Sequence, residues 1–205
     1  MKDSQNTRMT NESLNELHFR AVRVNLSSDI RNNFVSLPSS IVQTLESTGI
    51  AVQEFGIAIS VNGIDVLHVG WNGYELQGYL NGQSVIDINP ILAKEVDLVS
   101  GVPVDLTVSV YDQTRTAKEV FVEPMTSDDW EIIESHAMFF QDEILHQTRI
   151  MTSGEVLICY VDNVVSRFRI KKVIPETLQS ARIDTGSLIV IAPRENLARV
   201  QKSQV

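Results

Sequence analysis

The chain has 205 residues, 43% of them hydrophobic, and its formal net charge at pH 7 is −9. That length suffices for one domain or for two small lobes that share an interface. The acidic balance argues against general nucleic-acid binding, which relies on basic surfaces, so no nucleic-acid partner is expected.

The two ends of the chain are polar. Residues 1–16 are predicted to be a flexible tail without a secretory signal, and residues 195–205 a linker or tail. No stretch approaches the roughly 18 uninterrupted apolar residues of a membrane span, so any membrane contact is expected to be peripheral. The single cysteine, Cys159, lies in the apolar run VLICYV, which predicts a buried thiol in a reducing compartment.

Residues 17–123 have a mostly β pattern with a faint internal repeat. The stretches FVSLPSSIVQTLESTGIAVQEFGIAISV and SVIDINPILAKEVDLVSGVPVDLTVSV each predict a strand, a short helix, a glycine stop and a second strand. The corresponding apolar helix positions are Ile41, Val42 and Leu45 in the first copy and Ile91, Leu92 and Val96 in the second. Two halves that cannot bury their own faces suggest a barrel made by duplication, and a double-psi β-barrel has that symmetry.

Three Asn-Gly pairs interrupt this half, at Asn62-Gly63, Asn72-Gly73 and Asn81-Gly82. Asn-Gly supplies the positive φ angles of tight hairpin turns, so each pair predicts a hairpin. After Pro124 the pattern changes, because TSDDWEIIESHAMFFQDEILHQ predicts a helix and several short strand patterns follow it. Residues 124–194 are therefore predicted to form a second, smaller β-barrel lobe.

The stretch EPMTSDDWEII holds four carboxylates around one tryptophan, Trp130. A metal or catalytic site is one interpretation, but no further ligand completes a known spacing. A capped helix start is favoured, with Thr126 and Asp129 in the capping pattern and the acids near the positive end of the helix dipole. We expect Asp128, Asp129 and Trp130 to be structural residues at the junction of the lobes, with Trp130 as the apolar anchor.

No catalytic signature is found in the sequence. The four histidines are scattered without zinc-ligand spacing and are interpreted as surface or interface side chains. There is no G-x-S-x-G elbow, and no Gly-Lys dipeptide from which a Walker A loop could be built. We therefore expect no catalytic residues, metal site or cofactor in this chain, and a free-standing enzyme is the least favoured hypothesis.

A cationic row in SRFRIKKV departs from the acidic average. On a strand, Arg167, Arg169 and Lys171 point to one face, and Phe168, Ile170 and Lys172 point to the other. Such a row could bind an anionic lipid headgroup, but a half-buried strand with an ordinary charged outer face is the favoured interpretation. The candidate lipid- or anion-binding residues are Arg149, Arg167, Arg169, Lys171 and Lys172.

Several stretches match one family pattern. The strongest are EPMTSDDWEIIESHA and EILHQTRI, and they are supported by RNNFVSLPSSIVQTLES, VQEFGIAIS, GEVLICYV, SARI and GSLIVIAP. In these stretches, which span about residues 17–194, the sequence resembles the N-terminal domain of the peroxisomal AAA ATPase family known as peroxisome biogenesis factor 1, and is most similar to its fungal form. The resemblance implies a mainly β fold with short helices, in which a double-psi β-barrel lobe is followed by a smaller β-barrel lobe, similar to the N domains of p97-type and NSF-type ATPases.

The resemblance also implies partners. In such relatives the N domain binds an adaptor or receptor protein, often between the lobes. The full-length family member forms a hexamer with a second AAA peroxin, acts with its membrane anchor at the cytosolic face of the peroxisomal membrane, and extracts the ubiquitinated import receptor. Its ATPase modules, with ATP and magnesium, are expected beyond residue 205, and phosphoinositide binding has been suggested for the family. The isolated domain is expected to be a non-catalytic monomer, with phosphoinositide binding as the alternative function.

Overall fold

The computed structural model of the protein describes residues 16–76, 84–136, 140–161 and 163–192. The predicted tails, residues 1–16 and 195–205, lie outside these ranges except for Glu16, which begins the first strand. Within the described ranges, no helix is long and apolar enough to cross a membrane.

The first lobe is a closed six-stranded barrel in the strand order β1-β5-β2-β4-β3-β6, in which β6 pairs back onto β1. Its strands are β1 (Glu16–Leu26), β2 (Phe34–Pro38), β3 (Phe55–Val61), β4 (Ile64–Leu76), β5 (Val85–Ile88) and β6 (Pro103–Val110). Strand β1 pairs with β5 and β2 with β4 in parallel, whereas the other pairs are antiparallel. Branched apolar side chains of these strands, among them Ile57, Ile86 and Leu106, fill the interior.

The internal repeat is present in the structure. Helix α1 (Ser39–Glu46) lies between β2 and β3, and Gly49 lies between this helix and β3. Helix α2 (Pro90–Lys94) lies between β5 and β6, and Gly101 lies between this helix and β6. Gly49, with φ of 70° and its N–H bonded to the Glu46 carbonyl, ends the turn after α1 and is the predicted helix stop. The stop predicted at Gly101 is wrong, because α2 ends at Lys94 and is terminated by Asp97, with φ of 55°, and by the hydrogen bond from the Leu98 N–H to the Ala93 carbonyl. Gly101, with φ of 86°, lies in a later turn. The six repeat positions pack as predicted: Ile41, Val42, Leu45 and Leu92 are buried, and Ile91 and Val96 are partly buried against the barrel core. The double-psi topology of this barrel stays a prediction.

The three Asn-Gly pairs have different outcomes. Asn62 and Gly63 have φ of 53° and 79° and join β3 to β4, as predicted. The hairpin predicted at Asn72-Gly73 is wrong, because both residues lie within β4, whose last part pairs in parallel with β2. The pair Asn81-Gly82 lies outside the described residues.

The second lobe consists of a four-stranded sheet in the order β12-β7-β10-β9 and a two-stranded sheet of β11 and β8. Its strands are β7 (Glu119–Pro124), β8 (Ile150–Thr152), β9 (Val156–Val161), β10 (Val164–Ile174), β11 (Ser180–Arg182) and β12 (Leu188–Ile191). Helices α3 (Ser127–His136) and α4 (Phe140–Gln147) take the place of the single predicted helix, and residues 137–139 lie outside the described ranges. The mainly β class with short helices, predicted from the sequence, is confirmed.

Strand β7 belongs to the second lobe, although the predicted lobe boundary at residue 123 assigns nearly all of it to the first. It pairs with β10 and β12, so the sheets change between Val110 and Glu119. The alternating pattern of EVFVEP predicts a strand but carries no information about which sheet the strand joins. The division of the chain into a barrel lobe of residues 17–123 and a smaller lobe of residues 124–194 stays a prediction.

The single cysteine behaves as an apolar core residue. Cys159 on β9 is fully buried in the second core, next to Phe168 and Leu157 in the same cluster. Burial raises the pKa of its thiol to about 12. The predicted buried thiol is confirmed, and thiolate chemistry at neutral pH is disfavoured.

A cleft between the two lobes

One contact between the lobes is closed and buried. The side-chain amide of Asn33, only 5% exposed, donates to the carbonyl oxygens of Gln147 at 3.1 Å and Ile158 at 2.7 Å. Its oxygen accepts a hydrogen bond from the backbone N–H of Ile158 at 3.0 Å. The amide thus spans from the barrel to both α4 and β9 of the second lobe.

The side chain of Gln147 makes the same pair of hydrogen bonds with Tyr160, which lies two residues after Ile158 on β9. This side chain donates to the Tyr160 carbonyl and accepts from the Tyr160 N–H, both at 2.7 Å. Two amides therefore satisfy the backbone of an edge strand that would otherwise expose unpaired groups. The side chain of Ile158 packs into the barrel core, and the Asn89 amide donates to the Tyr160 hydroxyl at 2.8 Å. We call these five residues, Asn33, Asn89, Gln147, Ile158 and Tyr160, the seam.

A second contact between the lobes is open. A cavity of about 500 Å³ lies there, with walls from both lobes. The barrel lobe and the segment after it contribute Asp65, Val66, His68, Tyr111 and Arg115, and the second lobe contributes Thr152, Ser153, Glu155, Thr177, Leu178, Gln179 and Ser180. We call the space bordered by these residues the cleft. Most of its lining side chains carry hydroxyl, amide or charged groups, so it is suited to polar ligands.

A half-buried ionic contact closes one side of the cleft. The Glu155 carboxylate accepts the backbone N–H of His68 at 3.1 Å and contacts its ring Nδ1 at 2.6 Å. Asp65 lies 3.9 Å from Nε2 of the same ring. Burial by itself lowers the pKa of His68, but the hydrogen bond and charge of Glu155, with Asp65, outweigh burial and the repulsion of Arg115. The pKa of His68 is therefore raised, which favours an imidazolium–carboxylate pair between the lobes.

Hydroxyl groups form the second contact across the cleft. The Tyr111 hydroxyl donates to Ser180 Oγ at 3.1 Å, and Thr152 Oγ1 donates to the same oxygen at 2.9 Å. The Tyr111 ring fits because residue 56 is glycine: a Cβ there would lie 2.3 Å from the ring carbon Cε2. The guanidinium of Arg115 lies over the Tyr111 ring, 3.8 Å from the ring centroid.

The acidic stretch is a helix start, as favoured from the sequence. Asp129 is 4% exposed, its backbone N–H donates to Thr126 Oγ1 at 3.1 Å, and the Thr126 hydroxyl donates to Asp129 Oδ2 at 2.6 Å. Its other oxygen accepts the backbone N–H of Arg167 at 2.9 Å. Asp129 therefore couples the first turn of α3 to strand β10, while Asp128 is exposed.

Trp130 is half-buried, and the described residues that pack against the two cores do not include it. Ile133, one turn later, is buried in the second core, and Ile132 packs against that core. The role of Trp130 as an anchor at the lobe junction stays a prediction. Among the described residues, no group of three or more histidine, cysteine or acidic side chains is arranged to hold a metal ion.

The cationic row of Arg167, Arg169 and Lys171 lies on the outer face of β10, and each of its members has a partner within the chain. Arg167 lies 3.5 Å from Glu95 of the barrel lobe, and Lys171 lies 3.0 Å from Glu123. Arg169 donates to the Gly154 carbonyl at 2.9 Å. These contacts match the interpretation of an ordinary charged outer face.

Two of the candidate cations are placed differently from the row. Lys172 was predicted to share the face of Phe168 and Ile170, but an irregularity in the pairing between Ile170 and Lys172 shifts the alternation. Lys172 is therefore exposed and pairs with Glu176. Arg149 is half-buried against β4, and burial, reinforced by the charge of Arg182, lowers its pKa. Whether any of the five cations binds lipid stays a prediction.

The cleft residues were not predicted from the sequence as a site. His68 was interpreted only as a surface or interface side chain, which its position between the lobes matches. Glu155 follows a turn glycine, and Arg115 lies in an irregular connection, so neither belongs to a local motif. Polar residues within apolar strand patterns, as in VLHVG, are the one signal that could have marked this wall.

The fold and the site together define a two-lobed, mainly β domain, in which a closed barrel and a smaller β lobe share a buried seam and border a polar cleft. Residues 118–193 match the family model described as peroxisome biogenesis factor 1, N-terminal. The chain belongs to this family, as the resemblance in its sequence predicted.

Relatives extend the similarity over most of the chain. It is 48% identical over 192 residues to Peroxisomal ATPase PEX1 of Saccharomyces cerevisiae, covering 92% of this chain and 18% of that protein. It is 32% identical over 174 residues to Peroxisomal ATPase PEX1 of Komagataella phaffii, covering 82% of this chain and 15% of that protein. The human protein of the same name is 29% identical over 119 residues, covering 58% and 9% respectively. The chain thus spans less than a fifth of the length of these relatives.

Proposed function

We propose that this chain is the non-catalytic recognition domain of a peroxisomal ATPase and binds an adaptor or receptor protein in the cleft. The same proposal extends to the full-length protein. It would carry the ATPase modules with ATP and magnesium, form a hexamer with a second AAA peroxin and its membrane anchor, and act on the import receptor at the cytosolic face of the peroxisome. These parts of the proposal rest on family membership and on the names of the relatives.

The observation that carries the binding role is the cleft itself. Its volume of about 500 Å³ falls in the range of pockets that take a small molecule or a few side chains of an extended segment. Both lobes border it, and the seam holds them in register. A partner segment inserted there would contact both lobes at once.

A pull-down from solubilised peroxisomal membranes, with purified ubiquitin tested alongside, checks the proposal. Thr177 is an exposed residue of the cleft wall, so Thr177→Trp should fill the cleft without disturbing a core. We expect the unaltered chain to retain a defined partner and the Thr177→Trp variant to lose most of it. Gln43→Trp on the exposed face of α1 is the matched control and should bind normally.

Recovery of nothing above background by the unaltered chain would count against the proposal, as would equal recovery by the Thr177→Trp variant. Circular dichroism and thermal unfolding of all three proteins would establish that they are folded. A partner that the two tryptophan variants retain equally would bind a surface other than the cleft.

Phosphoinositide docking is the alternative function predicted from the sequence. The ion pairs of Arg167 and Lys171 with acidic residues of the same chain argue against a free cationic row. Arg169, which is exposed and hydrogen-bonded to a carbonyl, is the member best placed to meet a headgroup. Flotation with phosphoinositide vesicles, compared with an Arg167→Glu/Arg169→Glu variant, checks this alternative.

A further inference from the structure

Arg115 is held on a rigid platform at the cleft. It ends the short 3₁₀ turn Gln113–Arg115 that follows the barrel, and its guanidinium lies 3.8 Å from the centre of the Tyr111 ring. That ring is 4% exposed and is fixed by its hydroxyl contact with Ser180 and by the close approach to Gly56. Stacking on an aromatic face covers one side of a guanidinium and leaves the N–H groups at its edge able to donate.

The other charged groups of the cleft already have partners. His68 and Glu155 lie 2.6 Å apart, and Asp65 accepts the Ser60 hydroxyl at 2.6 Å and lies 3.9 Å from His68. By contrast, none of the carboxylates in the described ranges forms an ion pair within 4.0 Å of the Arg115 guanidinium. The exposed Asp112 interacts with the Arg115 guanidinium only at longer range: hydrogen bonds to Thr114 are the main cause of the lowered pKa of Asp112, and the charge of Arg115 contributes less. Arg167 and Arg182 each have an acidic partner at 3.5 Å.

We infer that Arg115 is the anchor of the cleft and receives a carboxylate from an acidic residue of an extended partner segment. A planar guanidinium offers two parallel N–H donors to a carboxylate, a geometry that a lysine cannot match. This inference rests on the proposed function and states the chemistry of its partner.

The surroundings also restrict how many acids the segment carries. Asp65 and Glu155 line the same cleft, and Asp112 lies three residues before Arg115 and is fully exposed. A run of acidic residues would be repelled by these carboxylates, whereas a single acid can meet Arg115. The cleft therefore selects one acidic residue flanked by neutral ones, the neighbours facing the hydroxyl-bearing wall of Thr152 and Ser180.

Selection of a phage library of random 12-residue peptides on the immobilised 205-residue chain tests the inference. Three proteins are compared: the unaltered chain, Arg115→Gln and Arg31→Gln. Arg31 is a matched control, because its guanidinium also stacks on a tyrosine, 5.0 Å from the Tyr160 ring centroid, but it is not part of the cleft. We expect peptides with one acid at a fixed position from the unaltered chain and from Arg31→Gln, and no such enrichment from Arg115→Gln.

The best peptide is then synthesised with its acid or with the corresponding amide, and binding is measured by fluorescence anisotropy. Arg115→Gln and the amide peptide should each weaken binding about tenfold, and the two changes together should cost little more than one alone. Selected peptides without an acid, or peptides that bind Arg115→Gln equally well, would overturn the inference.

The outcomes separate this inference from the proposed function. Peptides that lose binding in the Thr177→Trp variant but are indifferent to Arg115→Gln would leave the cleft as the recognition site and remove Arg115 as its anchor. Failure to select any peptide, or peptides indifferent to Thr177→Trp, would overturn both. An unchanged thermal unfolding midpoint for the Arg115→Gln variant establishes that the protein, including the packing around Tyr111, remains folded.

Discussion

At the seam, the amides of Asn33 and Gln147 are matched to backbone groups on both sides, and the apolar side chain of Ile158 crosses from one lobe into the core of the other. At the cleft, the same two lobes meet through an ion pair and hydroxyl groups around a cavity of about 500 Å³. A buried hydrogen bond cannot be exchanged for one to water, whereas the groups lining an open cavity can.

The seam and the cleft therefore have different tasks. Removing a seam group leaves buried donors and acceptors unpaired, so the seam determines how the lobes sit. Removing a cleft group changes a contact that water or a ligand can replace. Variants at each place make the comparison testable, and the largest effect is expected at the seam.

Asn33→Ala should destabilise the protein by about 3 kcal/mol, because it removes the side-chain partner of both the N–H and the carbonyl of the buried Ile158. The Gln147 carbonyl keeps its hydrogen bond from the backbone N–H of residue 33. Urea unfolding followed by circular dichroism measures the loss. Gln43→Ala, an exposed amide on α1, is the matched control and should change little. A loss below about 0.5 kcal/mol at Asn33 would mean that the seam does not hold the lobes.

Asp129→Ala should cost about 2 kcal/mol, since it removes the acceptor of the Arg167 N–H and breaks the reciprocal contact with Thr126. Asp128→Ala in the same helix turn is the control and should be close to neutral, because Asp128 is exposed. Equal effects of the two substitutions in urea unfolding would argue that helix-dipole charge, and not the buried contact, matters here.

The smallest effect is expected at the cleft and depends on pH. The pKa of His68 is raised in the folded protein, so its contribution is fully present below the ordinary value of about 6.5. It is lost as the pH rises through the raised pKa. Between pH 5.5 and pH 8.5, the free energy of unfolding of the unaltered protein should therefore fall relative to that of His68→Gln.

Glu155→Gln should abolish the same pH-dependent difference, because the Glu155 carboxylate is the main group that raises the pKa of His68. His18→Gln is the control, since His18 is an exposed histidine on β1 outside the cleft. An identical pH profile for His68→Gln and the unaltered protein would show that the ion pair contributes nothing to stability.

Local patterns predicted much of the fold. The repeat of strand and helix predicted both halves of the barrel, and Thr126 with Asp129 predicted the start of α3. These features depend on residues close in sequence, such as a positive φ at Gly49 or a capping hydroxyl. Two of the predictions that failed depended on contacts distant in sequence. The hairpin predicted at Asn72-Gly73 does not form because the segment pairs with strand β2. Lys172 does not share the face of Phe168 and Ile170 because the pairing of β10 with β7 is irregular there.

The sequence by itself determined the mainly β class, the barrel repeat, the capped acidic helix and the family, because each depends on short-range chemistry or on the order of residues. Only the tertiary structure decided the seam and the cleft. Asn33 and Ile158 are 125 residues apart, and His68 and Glu155 are 87 apart, so no local pattern pairs them. Chain folding brings such residues together through the packing of two cores, and the chemistry of the cleft arises at that contact.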